Sequence, residues 1–309
     1  MYSNKKNFGG LTLALHTDFY HILWFFIIYC VCGWIWESAY CSIKAKKWIN
    51  RGFLMGPYIP IYGCGALIVY FMLYPLKEQL WLVYCGGVVF PTILEFLTSW
   101  IMEKVFAAIW WDYSNEKYNI QGRICLKASL MWGFFSLAMV EILHPFVLSL
   151  IEKLPRMAGQ VVGGVFIVVF SADLCNTILA TLDVKKTLEK MENIRGNISQ
   201  FLEVHNLSPE YRELSPFHMV SRLKEQWEER KEYLENIPLS GTISEYRDEL
   251  EEKLAALVKL YEENMPKPRR IIQHYMKAYP NFKSARYAKS LEDIKENMKK
   301  YFEKLRKEK

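Results

Sequence analysis

The sequence predicts an all-α protein: a polytopic membrane helical bundle of about five spans with an internal repeat, continued by a charged helical C-terminal region. Three observations predict it. Roughly the first 184 residues are apolar and aromatic, whereas residues 185–309 are dense in Lys, Arg and Glu. The apolar part holds five stretches long enough to cross a bilayer, whose hydrocarbon takes about 20 helical residues to span. It also repeats one pattern, in which an apolar helix carrying one acid leads through a short basic loop to a glycine-bracketed entry into the next helix. The first copy runs from Glu37 through Asn50, Arg51 and Gly52 to Gly63, and the second from Glu95 through Asn119, Gly122 and Arg123 to Gly133. Eleven positions separate the bracketing glycines in both copies, and an aromatic, Tyr62 or Trp132, precedes the second one.

The spans are expected at residues 18–43, 57–76, 79–103, 126–150 and 159–182, which gives a transmembrane domain over 1–184 and a tail over 185–309. The first stretch is too long for the apolar core of a signal peptide. It is followed by Trp34, Trp36 and Glu37 rather than by a small-residue cleavage site, so it reads as a retained first span. Orientation follows the lysines and arginines. Lys44, Lys46, Lys47 and Arg51 follow span one, Lys104, Lys117, Arg123 and Lys127 surround the gap between spans three and four, and Lys185 and Lys186 follow span five. Lys5, Lys6, Lys77, Lys153 and Arg156 make a weaker set on the other side. This predicts the N-terminus outside, with the C-terminus and both glycine-bracketed loops in the cytoplasm.

The seven cysteines all lie in or beside apolar spans, with no Cys-x-x-Cys pair and no histidine at ligand spacing. Neither a metal site nor an oxidised framework is expected, and the cysteines read as small apolar fillers. No cofactor is implied.

The polar residues of the spans are the candidates for function, because a charge at membrane depth is costly unless it faces a polar interior. Glu37 and Glu95 stand on spans one and three, Glu95 four residues after Pro91, where a kink would free backbone carbonyls. Asp173 and Asn176 share a face of span five. Together these four residues are expected to line the interior of the bundle. For Glu37 the alternative is an interfacial acid neutralising Lys44 or Arg51. Glu141 and His144 in span four read as an outer-interface pair or a proton relay.

The first loop carries Asn50, Arg51, Gly52, Gly56, Pro57, Pro60, Tyr62 and Gly63. So many glycines and prolines cannot form an ordinary helix. The segment is expected either as a gate or ligand contact, or as a tight rigid turn that admits close helix packing. The second loop carries Asp112, Asn119, Gly122, Arg123, Ser129, Trp132 and Gly133 in the corresponding role. Asp112 and Arg123 offer a structural salt bridge; alternatively Arg51 and Arg123 pair with Glu37 and Glu95, or hold an anionic headgroup.

These residues resemble a family of bacterial membrane proteins, the ABC-transporter permeases of the CmpB type. The resemblance rests on Gly33-Trp34-Ile35-Trp36-Glu37, on Asn50-Arg51-Gly52-Phe53-Leu54 with Gly56-Pro57 and Pro60-Ile61-Tyr62-Gly63, and on Trp111-Asp112-Tyr113 with Asn119, Gly122 and Ser129 to Gly133. It covers about residues 20–183. It implies a multi-pass protein of a bacterial cell membrane whose transport is powered by a separate ATPase. The chain has no Gly-x-x-x-x-Gly-Lys-Ser/Thr phosphate loop, so hydrolysis would come from a partner chain.

In the tail, Leu188, Met191, Ile194, Ile198, Phe201 and Leu202 form an apolar stripe, as do Leu250, Leu254, Leu257, Val258 and Tyr261. A helical domain or self-association is expected, with breaks near Ser208-Pro209, Ser215-Pro216, Pro238 to Gly241, Pro266 to Pro268 and Pro280. Residues 185–264 carry 12 Lys and Arg against 17 Asp and Glu, and residues 265–309 carry 14 against 5. The basic end, including Arg269, Arg270, Lys283, Arg286, Lys299, Lys300 and Arg306, suits anionic headgroups of an inner leaflet or a solvated helix face. With a membrane anchor and no binding motif, nucleic acid is not an expected partner. The leading functional expectation is a transport-related membrane subunit without catalysis of its own. A membrane-anchored scaffold and a membrane-embedded lipid-modifying enzyme are the alternatives.

Overall fold

The computed structural model describes residues 17–204, 270–279 and 282–307, with scattered positions between 222 and 264. The N-terminal Lys5 and Lys6, the tail breaks named above and the stripe positions Leu250, Leu254 and Val258 lie outside the described residues. The described chain is almost wholly helical: α1 (Phe19–Ala45), α2 (Pro60–Leu76, ending in a 3-10 turn), α3 (Leu80–Phe106), α4 (Leu126–Lys153), α5 (Arg156–Val204), α6 (Arg270–Ala278) and α7 (Ala288–Lys307). A two-stranded antiparallel ribbon, β1 (Asn119–Ile120) and β2 (Ile124–Cys125), pairs Asn119 with Cys125. Contacts divide the chain into two units, Met1–Ala180 with His274–Phe282, and Thr181–Gln273 with Lys283–Lys309.

Helices α1, α3, α4 and α5 are long and apolar enough to cross a membrane. The second expected span departs from the others. Its helix begins at Pro60 rather than 57, and 14 α-helical residues are closed by three in a 3-10 turn. The physical reason is proline placement: Pro60 is tolerated in a first helical turn because its missing N–H would have no partner there. Residues 50–59 are thereby left as loop. The fifth helix departs the other way and runs on to Val204.

Asp18 caps α1, accepting a 3.2 Å bond from the His21 amide. The side-chain hydrogen bond with His21, helped by Arg156, holds its carboxyl down at about 2. Pro91 sits inside α3 without ending it, and α4 contains a π-helical turn at Met139–Leu143. That turn shifts the register between Glu141 and His144. Glu141 is exposed, while His144 is buried among Phe25, Tyr70 and Tyr74 with its Nδ1 3.1 Å from the Tyr29 hydroxyl. The core of the first unit forms around this group, with Val69, Val83 and Val147.

In the second unit Leu188, Met191, Ile194 and Ile198 are buried along one stripe of α5, and Leu291, Ile294 and Met298 along one stripe of α7. Tyr287 and Ser290 donate to Glu189 and Glu192 at 3.3 and 3.1 Å. Burial against these acids raises the Tyr287 phenol above its ordinary value.

Candidate functional site: acids held by the aromatics of the glycine loops

Three carboxylates in the first unit organise both loops. Glu37, on α1, accepts from the Tyr62 hydroxyl at 2.8 Å and lies 3.5 Å from the Arg51 Nε. The Tyr62 ring reaches it by lying against Gly33, where a Cβ would stand 2.5 Å from the Tyr62 Cβ. Arg51 is fixed from behind, because its backbone N–H donates to the Ser38 hydroxyl at 3.0 Å. Asn50 bridges the loop, accepting from the Trp34 indole and donating to the Met55 carbonyl at 2.9 Å. Gly52 adopts φ +145°, a conformation that side chains disfavour.

Asp173, on α5, holds the other half of this loop. Its oxygens accept from the Gly56 amide at 2.8 Å, the Met55 amide at 3.3 Å, the Tyr58 hydroxyl at 2.7 Å and Thr177 at 3.1 Å. Burial and this carboxylate together raise the Tyr58 phenol above its ordinary value. Pro57 carries the chain from this anchor toward Pro60, the first residue of α2.

Glu95 is 6% exposed on α3 and has no cation beside it among the described residues. Tyr113 donates to its Oε1 at 3.1 Å and the Trp132 indole to its Oε2 at 2.9 Å. Behind it α3 and α4 approach closely: a Cβ on Gly87 would come within 3.3 Å of the Gly133 Cα, and one on Gly133 within 2.7 Å of Tyr84. Ser129 is buried one turn before Gly133. Trp132 and Tyr62 meet edge to face, their centroids 5.5 Å apart.

The second loop is a ribbon. Asn119 accepts from the Gly122 amide at 3.0 Å and donates to the Glu116 carbonyl at 2.8 Å. Gly122 turns at φ +66°, where a Cβ would lie 2.8 Å from the Asp112 carboxylate. The expected pairings of Arg123 are corrected here. Its guanidinium bonds Glu103 and, at 3.3 Å, Ser99, rather than Asp112 or Glu95. Asp112 instead takes the Ser114 amide and hydroxyl at 3.0 and 2.5 Å. The ribbon aims Arg123 back along α3 one helical turn beyond Ser99, so it never reaches the Glu95 level. A second correction concerns Asn176, which lies on an exposed side of α5 rather than in a polar interior with Asp173.

Sequence reasoning did not single out the segment His274–Phe282, which packs on the first loop. His274 donates from Nε2 to the Gly52 carbonyl at 2.9 Å, Tyr275 stacks on Phe53, and Tyr275, Tyr279 and Phe282 surround Trp110. Arg51 donates to the Ala278 carbonyl and lies 4.0 Å from the Tyr279 ring centroid. Burial pushes the Tyr279 phenol up to about 12, so the ring stays neutral beneath the guanidinium. The available signal was the aromatic density of Tyr275, Tyr279 and Phe282 in an otherwise charged tail. Tyr113 was visible in the Trp111-Asp112-Tyr113 motif, but not as a partner of Glu95.

Between α1, α2, α3 and α4 lies a cavity of about 470 Å³, walled by Gly33, Trp36, Tyr62, Glu95, Trp132 and Phe135 among others. No group of side chains that could hold a metal ion occurs among the described residues.

Long apolar helices enclosing a buried acid and a cavity define a polytopic helical membrane protein. Residues 24–178 match the family described as "Putative ABC-transporter type IV" (ABC_trans_CmpB), and the chain belongs to that family. No curated protein and no solved structure matches the chain.

Proposed function

We propose that this chain is the membrane-spanning permease subunit of a bacterial transport system whose energy comes from a separate ATPase. The observation that carries the reading is the meeting of Tyr62 with Trp132, each holding an acid from the preceding helix of its own copy. Transporters built from repeats place their sites where the repeats touch. Glu37 and Glu95 stand on helices that run the same way across the membrane in this reading, with the N-terminus outside and the tail in the cytoplasm. The two copies are then parallel repeats. The family supports the link to an ATPase in trans. The segment His274–Phe282, clamped on Arg51, is the element through which such a partner reaches the Glu37 centre.

The test is purification from native membranes followed by reconstitution with the ATPase that comes with it. ATP-dependent solute movement in vesicles is the expected result. A chain that purifies only with itself or with non-ATPase proteins, and moves nothing, would sink the reading in favour of a scaffold. That second reading draws on the same segment, since His274–Phe282 packed on the first loop can equally present a surface to cytoplasmic partners.

A further inference from the structure

The wall of the cavity is mostly apolar and aromatic, with Ser136 and Glu95 among its few polar side chains. Among the described residues Glu95 is its one charged side chain. Indole can only donate, so the 2.9 Å bond from Trp132 makes Oε2 an acceptor, and Tyr113 donates to Oε1. Both oxygens thus face donor groups, an arrangement that an ionised carboxylate fits. The arginines of the two loops are spent elsewhere, Arg51 on Glu37 and Arg123 on Glu103. A buried charge served only by neutral donors is incompletely compensated. A cation inside the cavity would complete it.

The cavity also says which cation. Metal ions of the calcium and magnesium class need six or more oxygen ligands, and this wall offers one carboxylate and a few hydroxyl groups amid rings and aliphatic side chains. The rings suit a diffuse organic charge instead. Tyr62 and Trp132 stand 5.5 Å apart, Trp132 and Phe135 5.8 Å, and Phe135 and Trp36 5.3 Å, forming a continuous aromatic side. Such faces attract ammonium-type groups when water is excluded. The volume of about 470 Å³ falls within the range of small-molecule sites. Access is lateral. Ile35, Trp36 and Ile142 line the cavity yet are 54%, 53% and 73% exposed, and they belong to α1 and α4, which are long and apolar enough to cross a membrane. The mouth therefore faces hydrocarbon, and an occupant with an apolar body can enter from the lipid.

From this geometry we infer that the cavity binds a lipophilic monovalent organic cation, its charged head against Glu95 and the Trp132 and Tyr62 rings and its apolar body toward Ile35 and Ile142. The role of that molecule as cargo rests on the transport reading above; its binding does not.

The experiment is equilibrium dialysis of the full chain in lipid nanodiscs against tetraphenylphosphonium, with tetraphenylborate, its anionic counterpart of the same shape, as competitor. Saturable binding of the cation, not displaced by the anion, is expected. Glu95→Gln should weaken it about tenfold or more, because it removes one partner of a desolvated charge pair. Glu95→Asp, keeping the charge, should retain part of it. Ala138→Trp, which fills the mouth without touching the carboxylate, should abolish it. Glu141→Gln, at an exposed acid on the same helix, should leave it unchanged. Equal affinity for the anion, or unaltered binding in both Glu95→Gln and Ala138→Trp, would overturn the assignment, as would non-saturable partitioning in the parent chain. Binding without ATP-driven movement would leave this site standing and sink only the transport role. Movement of solute indifferent to Glu95→Gln and to the phosphonium probe would do the reverse.

Discussion

Glu37 and Glu95 occupy matching places in the two copies of the pattern, yet they are satisfied in opposite ways. Glu37 receives a phenol and an arginine, and its side chain keeps 31% of its exposure. Glu95 receives a phenol and an indole, and the residue is buried. The difference lies in the two loops: Arg51 sits in the irregular stretch 50–59 and reaches Glu37, whereas Arg123 follows the turn of the ribbon and reaches Glu103. One centre is therefore a neutralised pair tied to a tail segment, and the other a carboxylate left facing a cavity. Matching positions in a recurring sequence pattern need not carry equivalent chemistry.

The largest effect in breaking this contrast should come from Gly33→Val. It drives a side chain into the Tyr62 ring that touches both centres, and overpacking of this kind costs about 2–3 kcal/mol. Thermal unfolding of the purified chain should show it, with Gly164→Val as the reference, because nothing lies within 4 Å of a Cβ there. Next is Asp173→Asn, which turns an amide toward donors that now face a carboxylate. Hydrogen exchange at Met55 and Gly56 should accelerate as if about 1–2 kcal/mol of local protection were lost, with Gly87 amide exchange unchanged.

Double-mutant cycles sharpen the comparison itself. Arg51→Gln with Glu37→Gln should show coupling of about 1 kcal/mol. Arg123→Gln with Glu95→Gln should be additive to within about 0.5 kcal/mol. Coupling of the second pair would mean that the two acids are not differently served after all.

The smallest effect concerns pH. Burial lowers His274 below its ordinary value of 6.5, against the opposing influence of the Gly52 carbonyl and the Asp173 charge. The undocked segment then takes up a proton that the docked one resists. Its docking is complete above about pH 6.5 and weakens as pH falls below that value. Trp110 fluorescence, followed between about pH 7.5 and 5, should shift as its aromatic surroundings loosen, and His274→Asn should flatten the response.

Much of the site was legible in the chain, for reasons that differ by residue. Glu37, Glu95 and Asp173 stood out because charge is expensive in an apolar run, a cost that needs no neighbours to be recognised. Gly52 and Gly122 stood out as the bracketing glycines of loops too rich in glycine and proline, or too polar, to continue a helix. What was not legible were the partners. The pairing of Arg123 with Glu103, the outward face of Asn176 and the seat of His144 among rings depend on a ribbon turn, on packing and on a π-helical turn. The packing of His274 on Gly52 joins residues more than 220 positions apart, beyond any local periodicity.

The sequence by itself determined the helical membrane class, the starts of the apolar helices to within about three residues, and the acids that stand out in them. Hydropathy and helical period are sums over neighbours along the chain, so they survive without a fold. Only the tertiary structure decided which acid is neutralised, which one is left to a cavity, and which tail segment reaches the first loop. Those outcomes turn on where each loop sets a single guanidinium, Arg51 beside Glu37 and Arg123 beside Glu103, and tertiary contacts rather than any local period fix a loop's conformation.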